Sequence, residues 1–241
     1  MSDQIYLSDS YVKECEATVQ SVKDGKYITL DKNIFYPRGG GQPGDTGFLL
    51  PVSGGRFRVL NVMKKDGEIV HEMEMSGQDS GLKTQDRVRC VLDWERRYKL
   101  MRMHTAAHVL AGTMNSKLGA LITGNQLEED KTRFDFDLDT FDRGTFDELV
   151  RSTNELLKQD AVLKIYSLPR EAAMKIPGVV KLAGVLPPSI SELRIVEIPG
   201  IDIQADGGTH VRSLKEVGQI EILKLENKGK TNRRVYFKLN P

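Results

Sequence analysis

Asp93-Trp94-Glu95-Arg96-Arg97-Tyr98-Lys99-Leu100-Met101-Arg102-Met103-His104-Thr105-Ala106-Ala107-His108-Val109-Leu110-Ala111-Gly112 is the most regular helical stretch in the chain. Asp93 can cap it, because its carboxylate can accept from a first-turn N–H, and Leu100, Met103, Ala107, Leu110 and Ala111 recur at helical spacing as an apolar stripe. On such a helix His104 and His108 lie one turn apart, with Cβ atoms roughly 5–6 Å from each other. Two imidazoles at that spacing can share one metal ion without bending the backbone. Zinc suits neutral imidazole and demands no redox chemistry. The pair alone also fits one surface and one packed histidine on an amphipathic helix.

A third histidine weighs against that reading. In Ile201-Asp202-Ile203-Gln204-Ala205-Asp206-Gly207-Gly208-Thr209-His210-Val211 an apolar, strand-like run breaks at two glycines, which can turn Asp206 and His210 toward one point. The chain has 4 histidines in all, so most of them fall in these two stretches. His104, His108 and His210, with Asp206 or water in the remaining position, would make a tetrahedral site; three protein ligands plus water is the catalytic form.

Composition sets outer bounds. With 241 residues and 39% hydrophobic content, the chain can bury a sizeable core in one large domain or two ordinary ones. Lys and Arg number 35 against 34 Asp and Glu, a net charge of +1, so any nucleic-acid surface must come from local clustering. No apolar run approaches membrane-spanning length and no secretory signal opens the chain, which predicts a cytoplasmic protein without membrane contact. Cys15 and Cys90 are too few and too far apart in sequence for a disulfide framework or thiol metal site, and are read as reduced packing residues. No phosphate-binding G-x-x-x-x-G-K-[ST] loop is present, so no ATP-consuming step is expected.

The predicted fold class is α+β, with a small β-barrel over 1–92 and an α/β sandwich domain over 93–241 built on the metal-bearing helix. Short strands at Cys15 to Val22, Tyr27 to Leu30, Arg56 to Met63, Glu68 to Met73 and Arg87 to Leu92 are separated by close turn signals, the pattern of a barrel. Between them Pro37 to Gly47 is too rich in glycine for a strand interior. It is either a plain connection or exposed backbone that can approach a phosphate closely. Beyond the helix, 119–131 reads as a turn leading into a strand with Phe134, Phe136 and Leu138 alternating. An amphipathic helix at Phe146 to Leu157, a strand at Ala161 to Leu168, a short helix at Arg170 to Ile176 and a hydrophobic loop over 179–189 follow. Strands at Leu193 to Ile198, Gln219 to Leu225 and Arg234 to Leu239 close the chain.

The helix motif H-T-A-A-H, the later D-G-G-T-H-V and the early Phe35-Tyr36-Pro37-Arg38-Gly39-Gly40-Gly41-Gln42-Pro43-Gly44-Asp45-Thr46-Gly47 together resemble the free-standing alanyl-tRNA editing proteins, the AlaX family, similar to the editing part of alanyl-tRNA synthetase. The resemblance implies zinc held by His104, His108 and His210, and it places a cysteine where this chain has Asp206. A carboxylate there can ligate the ion or hydrogen-bond beside it. The resemblance further implies a zinc-dependent trans-editing hydrolase that deacylates tRNA(Ala) mischarged with serine or glycine. The glycine-rich stretch is then expected to face the catalytic site, with Gly39, Gly40, Gly41, Gln42 and Asp45 as substrate contacts. Thr123, Asn125 and Gln126 are candidates to touch the amino acid or terminal adenosine, and Thr105, Thr123 or Thr209 to recognise the serine hydroxyl. Lys228, Lys230, Arg233 and Arg234 on a hairpin tip, with Arg96, Arg97 and Arg102 on the helix, are candidates for acceptor-stem phosphates. Two rivals remain open: a non-catalytic tRNA-binding protein, and a metal-dependent esterase of small molecules.

Overall fold

The computed structural model describes residues 2–75, 77, 80–139, 142–179 and 191–240, which fall into two compact units, Met1–Tyr98 and Lys99–Pro241. The hydrophobic loop expected at 179–189 lies, from 180 onward, outside the described residues. The architecture is α+β, as the sequence predicts.

The first unit opens with β1 (Asp3–Gln4) and α1 (Ile5–Ser8), and is built on β2 (Glu14–Lys23), β3 (Tyr27–Leu30), β4 (Lys32–Asn33), β5 (Gly47–Pro51), β6 (Phe57–Lys65), β7 (Glu68–Met73) and β8 (Arg87–Leu92). Six strands close a barrel in the order β2-β3-β7-β6-β5-β8, and β8 pairs back onto β2. Two of its hairpins turn on Asp-Gly pairs with positive φ at both residues, 53° and 61° at Asp24-Gly25, 52° and 82° at Asp66-Gly67. Those are the backbone angles of a type I′ turn, whose twist matches that of the flanking strands. Alternate residues point inward, and Val19, Ile28, Leu49, Val59, Val62 and Val88 are fully buried.

His71 of β7 is fully buried among them, its Nδ1 3.0 Å from the Ile28 carbonyl and its Nε2 3.0 Å from Asn33 Oδ1. A neutral ring donates to one of these oxygens, whereas a protonated ring would donate to both. Burial opposes the charge and pushes the pKa down to about 4. Below the unfolded value of about 6.5 the unfolded chain therefore takes up a proton that the folded one refuses, and stability falls with pH down to about 4, by at most about 3 kcal/mol. The urea midpoint of the wild type is expected to drop over that window more steeply than that of His71→Gln. A wild-type midpoint that held level would show that the two facing oxygens prevail over burial.

The second unit begins within α2 (Trp94–Leu118), so the division falls inside this helix and not ahead of Asp93. The first turn belongs with the barrel because Trp94 packs against the barrel core and Arg97 is buried there. Beyond it come β9 (Leu121–Leu127), β10 (Thr132–Asp137), α3 (Arg143–Leu157), β11 (Lys164–Pro169), α4 (Arg170–Ala173), β12 (Glu192–Ile198), β13 (Asp202–Ala205), β14 (Gln219–Asn227) and β15 (Asn232–Asn240). They form one sheet in the order β14-β15-β10-β9 and a second in the order β11-β12-β13. All five stripe residues of α2, Leu100, Met103, Ala107, Leu110 and Ala111, are buried. Asp142 caps α3 by accepting from the Thr145 N–H, and Asn154 ties that helix to Ile220 of β14 through paired hydrogen bonds. One expectation is corrected here: 121–127 is not a turn but the edge strand β9, paired with β10 through a register shift at Asp135/Phe136. Gly124 and Asn125 read as turn formers, yet Ile122 and Leu127 still find the buried face.

Candidate metal centre

Within the second unit His104 and His108 project from one face of α2 toward the turn that follows β13. The ring centroids of His104, His108 and His210 lie 5.0, 4.4 and 4.8 Å apart, pair by pair. Asp206 completes the group: its Oδ2 is 3.0 Å from His210 Nε2 and its Oδ1 3.7 Å from His104 Nε2. One ligand atom from each of the four residues lies within 4.8 Å of the others. Zinc bonds of roughly 2.0–2.2 Å put neighbouring ligands within the sum of two bonds, about 4 Å, so the site accommodates such an ion after sub-ångström adjustment.

The chemistry of the donors agrees with the geometry. Burial holds His104 well below the ordinary histidine range and pushes His210 down to about 4, so both imidazoles are neutral and able to ligate at neutral pH. Burial alone would raise the Asp206 carboxyl, but the polar groups it faces, His104 foremost, outweigh it and hold it well below the usual carboxylate range, as an anion. One carboxylate among three imidazoles is a donor set for a divalent cation.

Neighbouring groups fix the rings. His108 Nδ1 lies 2.8 Å from Asp202 Oδ2, and Gln204 Nε2 donates to the same oxygen at 3.1 Å. His210 Nδ1 lies 3.1 Å from Thr105 Oγ1, which also accepts from the Val211 N–H at 3.3 Å. With Nδ1 occupied in each, Nε2 is left to face the metal position. Two glycines allow this closeness. A Cβ at Gly208 would come within 2.2 Å of His104 Cε1, and one at Gly112 within 2.6 Å of the Ile201 carbonyl beside Asp202.

Asp202 was missed by the sequence reading, which took 201–205 only as an apolar, strand-like run leading to Asp206 and His210. The structure buries its polar face: Asp202 and Gln204 are 5% and 7% exposed, whereas Ile203 and Ala205 are half-buried. The available signal was a period-two run of polar residues, Asp202, Gln204 and Asp206, leading to a histidine. Asp202→Asn is expected to weaken metal affinity about 10- to 100-fold, because an amide cannot stabilise the Nδ1–H in the same way. Competition against a chromophoric chelator measures it, and an unchanged affinity would make Asp202 a packing residue.

The other expected contacts fall in both units. Gly39 to Gln42 is a closed turn: Gly39 and Gln42 exchange backbone hydrogen bonds of 3.1 and 2.9 Å, with positive φ at Gly40 and Gly41. Gln42 and Asp45 are buried, and Asp45 forms an ion pair with Arg97, which is itself fully buried. Neither Asp45 nor Arg97 is presented at the surface, because each satisfies the other inside the first unit. Arg96 donates to the Gly44 carbonyl and Arg102 to that of Val217. Arg233 is buried on the carbonyls of Gly229, Lys230, Asn232 and Asp139, and Arg234 pairs with Asp135. Lys228 and Lys230 are exposed, Lys228 in contact with Glu226. Thr123 is exposed on β9, Asn125 is half-buried there, and Gln126 donates to Glu128, so these three lie on a sheet edge. Thr209 is fully buried beside His210.

Three imidazoles and a carboxylate on this α+β frame define a candidate mononuclear metal protein, and the comparisons say of what class. Residues 193–236 match the family described as threonyl and alanyl tRNA synthetase second additional domain, and 5–96 match class II (A) tRNA synthetases. The chain is 48% identical over 242 aligned residues to the alanyl-tRNA editing protein AlaX-M of Saccharolobus solfataricus, covering 100% of both. It is 47% identical to AlaX-M of Methanosarcina barkeri, covering 99% of both. With the alanine–tRNA ligase of Thermofilum pendens it is 39% identical over 97% of its own length, which is 26% of the ligase. The chain belongs to the AlaX-M family of alanyl-tRNA editing proteins. Among the described residues no helix is long and apolar enough to cross a membrane.

Proposed function

We propose that this protein is a zinc-dependent trans-editing hydrolase that deacylates tRNA(Ala) mischarged with serine, and with glycine as a second substrate. The convergence of His104, His108, His210 and Asp206 carries the reading. Editing is needed as a separate activity because a synthesis pocket shaped for a small apolar side chain rejects one extra hydroxyl poorly, and a second site must destroy the product.

The chemistry supplied by zinc held there is activation of water or polarisation of the ester carbonyl. The chain's own groups prepare the position. Asp202 and Thr105 hold His108 and His210 with Nε2 turned toward it, and Asp206 accepts from the Gly208 N–H at 2.7 Å, which keeps the carboxylate beside the rings. In the reaction water adds to the ester carbonyl, the terminal ribose hydroxyl leaves with a proton, and the free amino acid is released. Thr209, buried next to His210, is proposed to recognise the serine hydroxyl. The exposed Lys228 and Lys230 are proposed to meet acceptor-stem phosphates, positioning the RNA without reading its sequence.

The test is hydrolysis of seryl-tRNA(Ala), glycyl-tRNA(Ala) and a small seryl ester by protein whose zinc content has been counted. Turnover of the two tRNA substrates that disappears on chelation and returns with zinc is expected. Binding of the tRNA with the ester left intact would establish a non-catalytic binder. Equal turnover of the small ester would establish a general esterase.

A further inference from the structure

Cys15 and Cys90 stand far apart in sequence, but the barrel sets them directly opposite each other on β2 and β8. Both are free thiols here, Cys90 buried in the barrel core and Cys15 half-buried against it. The ladder fixes the kind of pair they form. The Leu92 N–H donates to the Lys13 carbonyl at 2.9 Å, and the Val19 N–H to that of Asp86 at 2.9 Å. Both are pairs in the same register as Cys15↔Cys90, separated from it by even numbers of residues, so Cys15 and Cys90 are also a hydrogen-bonded pair. Opposed residues of that kind have Cα atoms about 5.5 Å apart, within the commonest range for a disulfide.

We propose that Cys15 and Cys90 form a reversible intramolecular disulfide under oxidising conditions. The bond would staple the seam at which the first barrel strand meets the last, the pairing that closes the barrel. The pair is poised for stepwise oxidation: the facing Cys90 thiol lowers the Cys15 pKa, whereas contact with Cys15 and burial raise that of Cys90. Half-buried Cys15 is therefore the attacking thiolate. It attacks one sulfur of a small disulfide such as oxidised glutathione, forming a mixed disulfide and releasing one glutathione thiolate. Cys90 then attacks the Cys15 sulfur, its proton passing to the departing glutathione sulfur, which releases the second glutathione. Two protein thiols lose two electrons in all, and one glutathione disulfide becomes two thiols.

The test treats the intact protein with oxidised glutathione and follows it by intact mass, thiol titration and peptide mapping. Expected are loss of two hydrogens and of both thiols, a Cys15–Cys90 cross-linked peptide, and a rise in Tm of roughly 10 °C or more, reversed by dithiothreitol; a bridge closing a loop of about 75 residues constrains the unfolded chain strongly. Cys15→Ser, a change at a half-buried position, should abolish both the cross-link and the Tm shift. A retained glutathione adduct, a disulfide-linked dimer, or two thiols that stay free while Cys15 reacts with iodoacetamide would each overturn the proposal.

Discussion

His104→Ala protein is expected to lose its metal and, with it, hydrolysis of seryl-tRNA(Ala). The substitution removes one of three imidazoles, the one whose Nε2 lies 3.7 Å from Asp206 Oδ1. Because altering a group that merely orients a ligand costs about 10- to 100-fold, removal of the ligand itself should cost on the order of 100-fold or more in affinity and in rate. The fold should survive, since the vacancy is polar and water can fill it. The decisive comparison is zinc content beside single-turnover hydrolysis in wild type, His104→Ala and Asp206→Ala. If His104→Ala deacylates at the wild-type rate while holding no zinc, the metal-dependent mechanism fails. If Asp206→Ala keeps its zinc but loses rate, Asp206 stands beside the ion and not on it.

Asp45→Ala should destabilise the barrel unit by about 3–5 kcal/mol, the cost of leaving one member of a buried ion pair uncompensated. Arg97 is 0% exposed and Asp45 1%, and the Arg97 guanidinium spends its other donors on the carbonyls of Ser10 and Ile34. Asp45 also accepts from the Tyr36 N–H, so its loss orphans several groups together. A change of that size is a large part of the 5–15 kcal/mol that holds an ordinary domain folded. Urea unfolding followed through the single tryptophan, Trp94, reports on this unit, because Trp94 packs against its core. Asp45→Ala with Arg97→Met, which removes both charges, should recover part of the loss. A single-variant loss below about 1 kcal/mol would show that water reaches the arginine.

The barrel was legible because it is written in local signals: Asp-Gly turns at 24–25 and 66–67, and alternation along β2, β6 and β8. The histidine pair was legible for the same reason, being one helical turn apart. What sequence could not supply were pairings made across the fold. Arg97 reads as a contact for RNA, and nothing local in the sequence shows that it closes on Asp45, 52 positions away in the chain. Likewise nothing in the run Ile201 to Ala205 singles out Asp202, and its pairing with His108 depends on the close approach of α2 at Gly112. β9 was misread because Gly124 and Asn125, both turn formers by preference, sit within an edge strand whose partner imposes extension.

Asp206 occupies the place where the family resemblance puts a cysteine, and a carboxylate there would alter which ions can compete for the pocket. A thiolate would favour soft cations such as copper(I), whereas nitrogen and oxygen donors are shared comfortably by manganese, iron, cobalt, nickel and zinc. Divalent affinities then follow the general order of the transition series, and supply decides among ions of similar rank. The metal recovered with this protein should accordingly track the growth medium, with cobalt or nickel replacing zinc in enriched cultures, and cobalt giving the pocket a visible absorption band by which its occupancy can be followed.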